Sequence, residues 1–113
     1  MKSTIHQPVP ELPVKDVEQS QAFYRDKLGF KIGWTYPTIG AVSKGETVLF
    51  LKKQQAVNPN TLWVFADNVD EIYQECRNAG LTISEDIETK PWGIRQFTME
   101  DIDGNRFIFH HDT

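Results

Sequence analysis

Three histidines, one cysteine and a scatter of serines and carboxylates are the side chains of this 113-residue sequence that could carry bond-making chemistry. His110 and His111 stand near the end of the chain in the run HHD, which has the donor types to bind a metal ion or act as a base. Polar residues at a terminus are more often simply solvated. His110, on the inward parity of its strand, remains a candidate hydrogen-bonding or pH-sensitive group. His6 is the third. Cys76 sits on the apolar stripe of a helical pattern with no basic neighbour on that face, which favours an inert, packed thiol over a nucleophile. Ser20, Ser43 and Ser84 have no nucleophile motif around them, and the glycines of KGE and LGF are turn or cap residues, not a phosphate-binding loop. No catalytic set, cofactor site or nucleotide site is expected.

The aromatic residues are more informative. Trp34, Tyr36, Trp63, Phe65 and Trp92 fall on strands or strand ends, and tryptophan rings stack on planar ligands and attract cations. Whether they fill a core or line a cavity depends on the elements that carry them.

Leu12 and Val14 alternate with Glu11 and Pro13, which predicts a short strand, and DVEQSQAFYRDKLG then predicts a helix capped by Asp16 and closed at Gly29. FKIGWTY, IGAVSK and TVLFLKK follow as strands. The polar segment QQAVNPN is the one good linker. TLWVFAD predicts a strand with Leu62, Val64 and Ala66 on one face and Thr61, Trp63 and Phe65 on the other. NVDEIYQECRNAG predicts a second helix capped by Asn68, with Val69, Ile72, Tyr73 and Cys76 on its apolar stripe. LTISED, GIRQFTME and RFIFHH complete the series, the last two joined through Asp103-Gly104. Because Leu62, Val64, Phe107 and Phe109 supply the helix-facing parity, Trp63 and Phe65 should face a cavity.

The two halves repeat one order of elements, and Asp16-Val17-Glu18 through Arg25 lines up with Asn68-Val69-Asp70 through Arg77 at constant offset. A single α+β domain over residues 1–113 is expected, with repeat one at about 9–52, a linker at about 53–60 and repeat two at about 61–111. Each β-α-β-β-β unit covers one sheet face with its helix and leaves the other bare, so two units can pair curved mixed sheets around a shared cavity. A chain this small gains from a partner subunit, and a homodimer is expected.

Composition narrows the partners. The net charge of −4, from 16 acidic and 12 basic residues, gives no reason to bind nucleic acid and favours a cationic or neutral ligand. One cysteine forbids an intrachain disulfide and suits a reducing cytoplasm. No run approaches the roughly 20 apolar residues of a membrane span, and no signal-peptide pattern opens the chain.

Taken together, LPVKDVEQSQAFYRDKLGF, FADNVDEIYQEC and PWGIRQFTMEDIDGNRFIF resemble the vicinal oxygen chelate superfamily of glyoxalases, bleomycin-resistance proteins and extradiol dioxygenases. Within it the LPVKD opening and the WG before the last hairpin are most similar to the small bleomycin-resistance proteins. The resemblance implies the glyoxalase/bleomycin-resistance fold and a dimer that binds a drug without chemistry, often with an N-terminal strand exchanged near a proline. It also implies a groove-lining role for Trp92. Metal-dependent relatives carry ligands at positions that the resemblance places at Val9, Thr61, Leu49 or Phe50, and Ile108. None of these binds a divalent metal well. A two-residue slip offers Glu11 and His110, but beside them only Trp63 and Leu51 or Lys52, short of the three ligands usual for catalytic zinc.

The expectation is therefore a metal-free protein, without cofactor, that sequesters a planar or cationic small molecule such as a bleomycin-like antibiotic and so confers antibiotic resistance. Its candidate ligand-binding residues are Glu11, Trp34, Tyr36, Trp63, Phe65, Trp92, Arg95 and His110. The alternative is a glyoxalase- or dioxygenase-like enzyme of the same fold with an atypical or absent metal site. A third reading has the cavity filled by its own aromatics and the protein acting through contact with another protein.

Overall fold

The computed structural model describes residues 2–113. The first repeat runs β1 (Glu11–Val14), α1 (Val17–Leu28), β2 (Lys31–Thr35), β3 (Ile39–Lys44) and β4 (Thr47–Lys53). After residues 54–60, which hold neither helix nor strand, the second runs β5 (Thr61–Phe65), α2 (Val69–Asn78), β6 (Thr82–Thr89), β7 (Ile94–Glu100) and β8 (Arg106–Asp112). Each repeat makes a four-stranded mixed sheet, ordered β1-β4-β3-β2 and β5-β8-β7-β6. In both, the outer strand that precedes the helix pairs parallel with the last strand of its repeat. Among the described residues no helix is long and apolar enough to cross a membrane.

Both helices start where the sequence offers a side-chain acceptor. Asp16 Oδ1 accepts from Gln19 N at 2.8 Å and Asn68 Oδ1 from Glu71 N at 3.3 Å, which satisfies donors that a first helical turn otherwise leaves free. α1 ends at Gly29, whose φ of 72° admits the left-handed conformation without a Cβ clash. α1 buries Val17, Ser20, Gln21 and Tyr24 against its sheet, and α2 buries Val69, Tyr73 and Cys76.

Gln21 shows how a polar residue survives in that layer. Its Nε2 donates to Trp34 O at 3.1 Å and Ala41 O at 3.2 Å, while its Oε1 accepts from Thr35 Oγ1 at 2.9 Å. Gly40 makes room for it, since a Cβ there would lie 2.5 Å from Gln21 Nε2 and 2.7 Å from Val17 Cγ1.

One apolar cluster draws on both repeats, from Leu12, Val14 and Tyr24 to Phe97, Met99 and Phe107. The repeats are also tied by polar contacts around the loop at 101–105. Tyr24 donates to Asp101 Oδ2 at 2.5 Å, Asn105 Nδ2 to Pro13 O at 3.0 Å, and the Lys15 amide to Asp103 Oδ1 at 3.0 Å. The Asp103-Gly104 turn thus also acts as an inter-repeat clasp. Among the described residues the two sheets remain separate: no strand of one pairs with the other, and they do not close on each other. The faces turned away from the helices stay open.

Candidate functional site

Strand alternation decides what reaches those open faces. In the second sheet Leu62, Val64, Phe97, Met99, Phe107 and Phe109 point to the helix side, where they form or pack against the core. Trp63 and Phe65 therefore point outward and are 56% and 61% exposed. His110 pairs in register with Phe65 and stands between the two rings, its imidazole centre 5.6 Å from that of Trp63 and 5.9 Å from that of Phe65.

Across the ladder from His110 lies Gln96, and beside Gln96 lies Thr98. Both are buried polar residues on the outward parity of β7. Thr98 donates to Glu85 Oε1 at 2.9 Å. Gln96 Oε1 and His110 Nδ1 are shielded from water and have no hydrogen-bond partner. The outward face of the second sheet thus runs from two aromatic rings through an imidazole and an amide to the carboxylates of Glu85 and Glu88, the latter paired with Lys90.

The first sheet presents a smaller aromatic group. Strict alternation would place Ile32, Trp34 and Tyr36 on one face, but an irregularity between Ile32 and Thr35 in the β2–β3 ladder re-phases the strand. Ile32 pairs with buried Val42, whereas Trp34 and Tyr36 turn outward. The Trp34 ring centre lies 5.7 Å from that of Tyr36 and 5.1 Å from that of Phe50. Glu11 pairs in register with Phe50 and is exposed at the sheet edge.

Two expected site residues lie elsewhere. Arg95 shares the parity of Phe97 and Met99, so it faces α2 and not the aromatic face. There it makes a forked pair with Asp70, at 2.8 Å for Nη2, and bonds Thr89 Oγ1 at 3.1 Å. That guanidinium holds the Asp70 carboxyl below its usual pKa. Trp92 is off the strand, in the turn at 91–93, where strand parity no longer applies. Trp92 is 63% exposed with the Lys90 ammonium 5.9 Å from its ring centre.

Gln96, Thr98, Glu85 and Phe50 were not anticipated as site residues. The first two carried a usable signal, polar residues inside a strand whose alternate positions are Phe97 and Met99.

The terminal HHD does not act as a unit. His111 turns to the helix side and its Nδ1 accepts from Val69 N at 3.0 Å, while His110 turns outward. Among the described residues no group of three or more histidine, cysteine or acidic side chains could hold a metal ion, and Val9, Leu49, Phe50 and Ile108 bring no ligating group to the positions that the resemblance marks. Cys76 is buried, and desolvation raises its thiol pKa to about 11. It borders a cleft of about 580 Å³ between the repeats, whose wall includes Leu28, Ile72, Phe107 and Phe109, with Trp63 and Phe65 at the rim. The chain's own Gln7, Pro8 and Pro10 also border it.

Comparison with known proteins agrees with this architecture. Residues 4–109 match the family described as the Glyoxalase/Bleomycin resistance protein/Dioxygenase superfamily. No curated protein matches the chain. Among solved structures, the bleomycin resistance determinant encoded on transposon Tn5 is similar at a TM-score of 0.85 and 22% identity, over 96% of this chain and 98% of that one. The bleomycin-binding protein from Streptomyces verticillus, in complex with copper(II)-bleomycin, is similar at 0.83 and 22%, over 95% and 96%. Lactoylglutathione lyase from Agrobacterium tumefaciens is similar at 0.80 and 19%, over 96% and 95%. The chain belongs to the glyoxalase/bleomycin resistance protein/dioxygenase superfamily.

Proposed function

We propose that this member of the superfamily is a small-molecule-binding protein that takes up a planar or cationic ligand, of which a bleomycin-like antibiotic is one candidate, without transforming it. The observation that carries the reading is the outward pair Trp63 and Phe65 flanking His110, large apolar rings held at the surface of a well-packed sheet. Exposed aromatic surface of this kind marks a binding face. Trp34, Tyr36 and Phe50, with Glu11 at the edge, form the corresponding patch on the first sheet. A homodimer that sets the first sheet of one copy over the second sheet of the other would enclose both patches in one cavity. The chain's net charge of −4 favours a cationic guest. A place in the cytoplasm suits its single reduced thiol.

Structural similarity to a bleomycin resistance determinant and to a bleomycin-binding protein supports this reading. Similarity to a lactoylglutathione lyase keeps an enzyme of the same fold as the second reading. Thermal shift with bleomycin and flat aromatic cations, each with and without added zinc, nickel or manganese, separates the two. A ligand-dependent rise in Tm that needs no metal is expected, together with a dimer by sedimentation. A tightly held stoichiometric metal ion, or stabilisation that occurs only with metal, would instead favour the enzyme.

A further inference from the structure

The middle of the second open face carries a feature that stacking alone does not use. Gln96 is a polar side chain only 6% exposed, and its Oε1 has no partner; its ladder neighbour His110 has an equally unpartnered Nδ1. Buried acceptors are nearly always satisfied, and leaving one bare costs stability. Two on adjacent strands of one sheet face are unusual in a domain whose other buried amides, Gln21 and Asn105, are bonded at both ends.

Gln96 Oε1 accepts only, and imidazole Nδ1 accepts whenever the ring's proton is on Nε2. Next along β7, Thr98 gives its hydroxyl proton to Glu85, whose carboxylate has no ion-pair partner among the described residues. Arg95 is the strand's one basic side chain, and Asp70 holds it on the opposite face. Beside the two aromatic rings, this side therefore carries the unpartnered Gln96 Oε1 and the Glu85 carboxylate, along with the Gln96 amide N–H groups, while the Lys90 ammonium is taken up by Glu88.

We propose that this face selects planar cations bearing several N–H donors, amidinium or guanidinium groups joined to a flat ring system. The ring body would lie against Trp63 and Phe65, and its N–H groups would donate to Gln96 Oε1, His110 Nδ1 and the Glu85 carboxylate. Both acceptors sit at the ends of side chains, so rotation of the terminal torsions of Gln96 and His110 would turn them from their buried positions toward a guest. The inference rests on the reading of Trp63 and Phe65 as a binding face and adds the donor chemistry that this face recognises.

The test uses the full-length protein and three probes of equal size: the aryl diamidine dye diamidinophenylindole, its neutral dicarboxamide and its dicarboxylate, titrated by calorimetry. The diamidine should bind with the highest affinity, the dicarboxamide should bind more weakly and the dicarboxylate should not bind. Loss of one charge-assisted hydrogen bond corresponds to about a tenfold loss of affinity or more, so Gln96→Leu and Glu85→Gln should each weaken the diamidine by that factor. Gln96→Leu should also raise the Tm of the ligand-free protein, because it removes a bare buried acceptor. Both variants keep the binding rings, and Thr98 can still donate to the new amide oxygen at position 85. If the dicarboxamide binds as tightly as the diamidine while Trp63→Ala weakens both, the donor-cation inference falls and the planar-ligand reading stands. If no probe binds, or Trp63→Ala changes nothing, both fall.

Discussion

Replacing Tyr24 with phenylalanine isolates the contact that joins the two repeats. The ring is fully buried and packs against Phe23, Phe30 and Phe107, and all of that packing survives the substitution. What disappears is the hydroxyl that donates to Asp101 Oδ2 at 2.5 Å. Asp101 keeps three donors, the amides of Asp103 and Asn105 at 2.9 Å and Asn105 Nδ2 at 3.1 Å, so its carboxylate is weakened in its site and not stranded. A hydrogen bond to a charged acceptor contributes about 1.5–3 kcal/mol, and ~2 kcal/mol is expected here. With an unfolding entropy of about 2.1 cal/mol/K per residue over 113 residues, that loss lowers Tm by about 8 °C.

The same bond has a signature in alkali. Burial, and then the charge of Asp101, raise the Tyr24 hydroxyl well above its ordinary pKa. Folded protein therefore holds this proton at a pH where the unfolded chain has released it. The stabilisation is fully present below the unfolded value, near ~10, and fades as pH rises from there toward the folded value. Urea unfolding of both proteins at fixed concentration, from neutral to strongly alkaline pH, should show a gap that is constant up to about pH 10 and then shrinks. A gap below about 0.5 kcal/mol at neutral pH, or one that persists unchanged through the alkaline range, would refute the clasp.

Other outcomes follow from the same packing. Phe107→Ala, in the shared core, should cost about 3–5 kcal/mol, whereas Trp63→Ala should leave urea stability nearly unchanged and weaken ligand binding by about 1–3 kcal/mol; equal loss of stability in both would make Trp63 a core residue. Gly40→Ala should destabilise by about 1–3 kcal/mol, because the new Cβ meets Gln21 and Val17 where Gln21 is pinned by three hydrogen bonds, and a neutral result in a denaturant melt would show that the layer yields. Cys76, with its thiol raised to about 11 and buried, should resist iodoacetamide at mildly alkaline pH until denaturant is added, and rapid labelling of native protein, read by mass spectrometry, would contradict its burial. The Asp70 carboxyl, held low by its hydrogen bond from Arg95, should release part of that pairing only as pH falls through its depressed value, an effect that added salt should reduce because the pair lies at the surface, with the Asp70 side chain about half exposed.

Much of this architecture was legible because it is local. The caps at Asp16 and Asn68 and the stop at Gly29 are short-range hydrogen-bonding facts. The alternation of Leu62, Val64, Phe107 and Phe109 fixes the outward direction of Trp63 and Phe65. What stayed hidden depends on contacts distant in sequence or on breaks in phase. The bond from Tyr24 to Asp101 spans 77 positions, and nothing in EDIDGN distinguishes a clasp from an ordinary turn. The irregularity in β2 separates Ile32 from Trp34 and Tyr36 in a way that the residue types do not announce. The period-two pattern through Phe97 and Met99 assigns Arg95 to the helix side, apart from Trp63, Phe65 and His110.

β5 has a consequence for how this protein can change. Leu62 and Val64 pack toward the core while Trp63 and Phe65, between and beyond them on the same strand, touch mainly solvent and His110. Substitutions at odd-numbered positions of this strand can therefore accumulate with little penalty in folding, while those at even-numbered positions are held by packing. A combinatorial library confined to 63 and 65 would change the outward surface while leaving the packed positions of the strand untouched. Drift along a lineage should follow the same channel, so that relatives with one backbone diverge in the surface they present long before they diverge in how they fold.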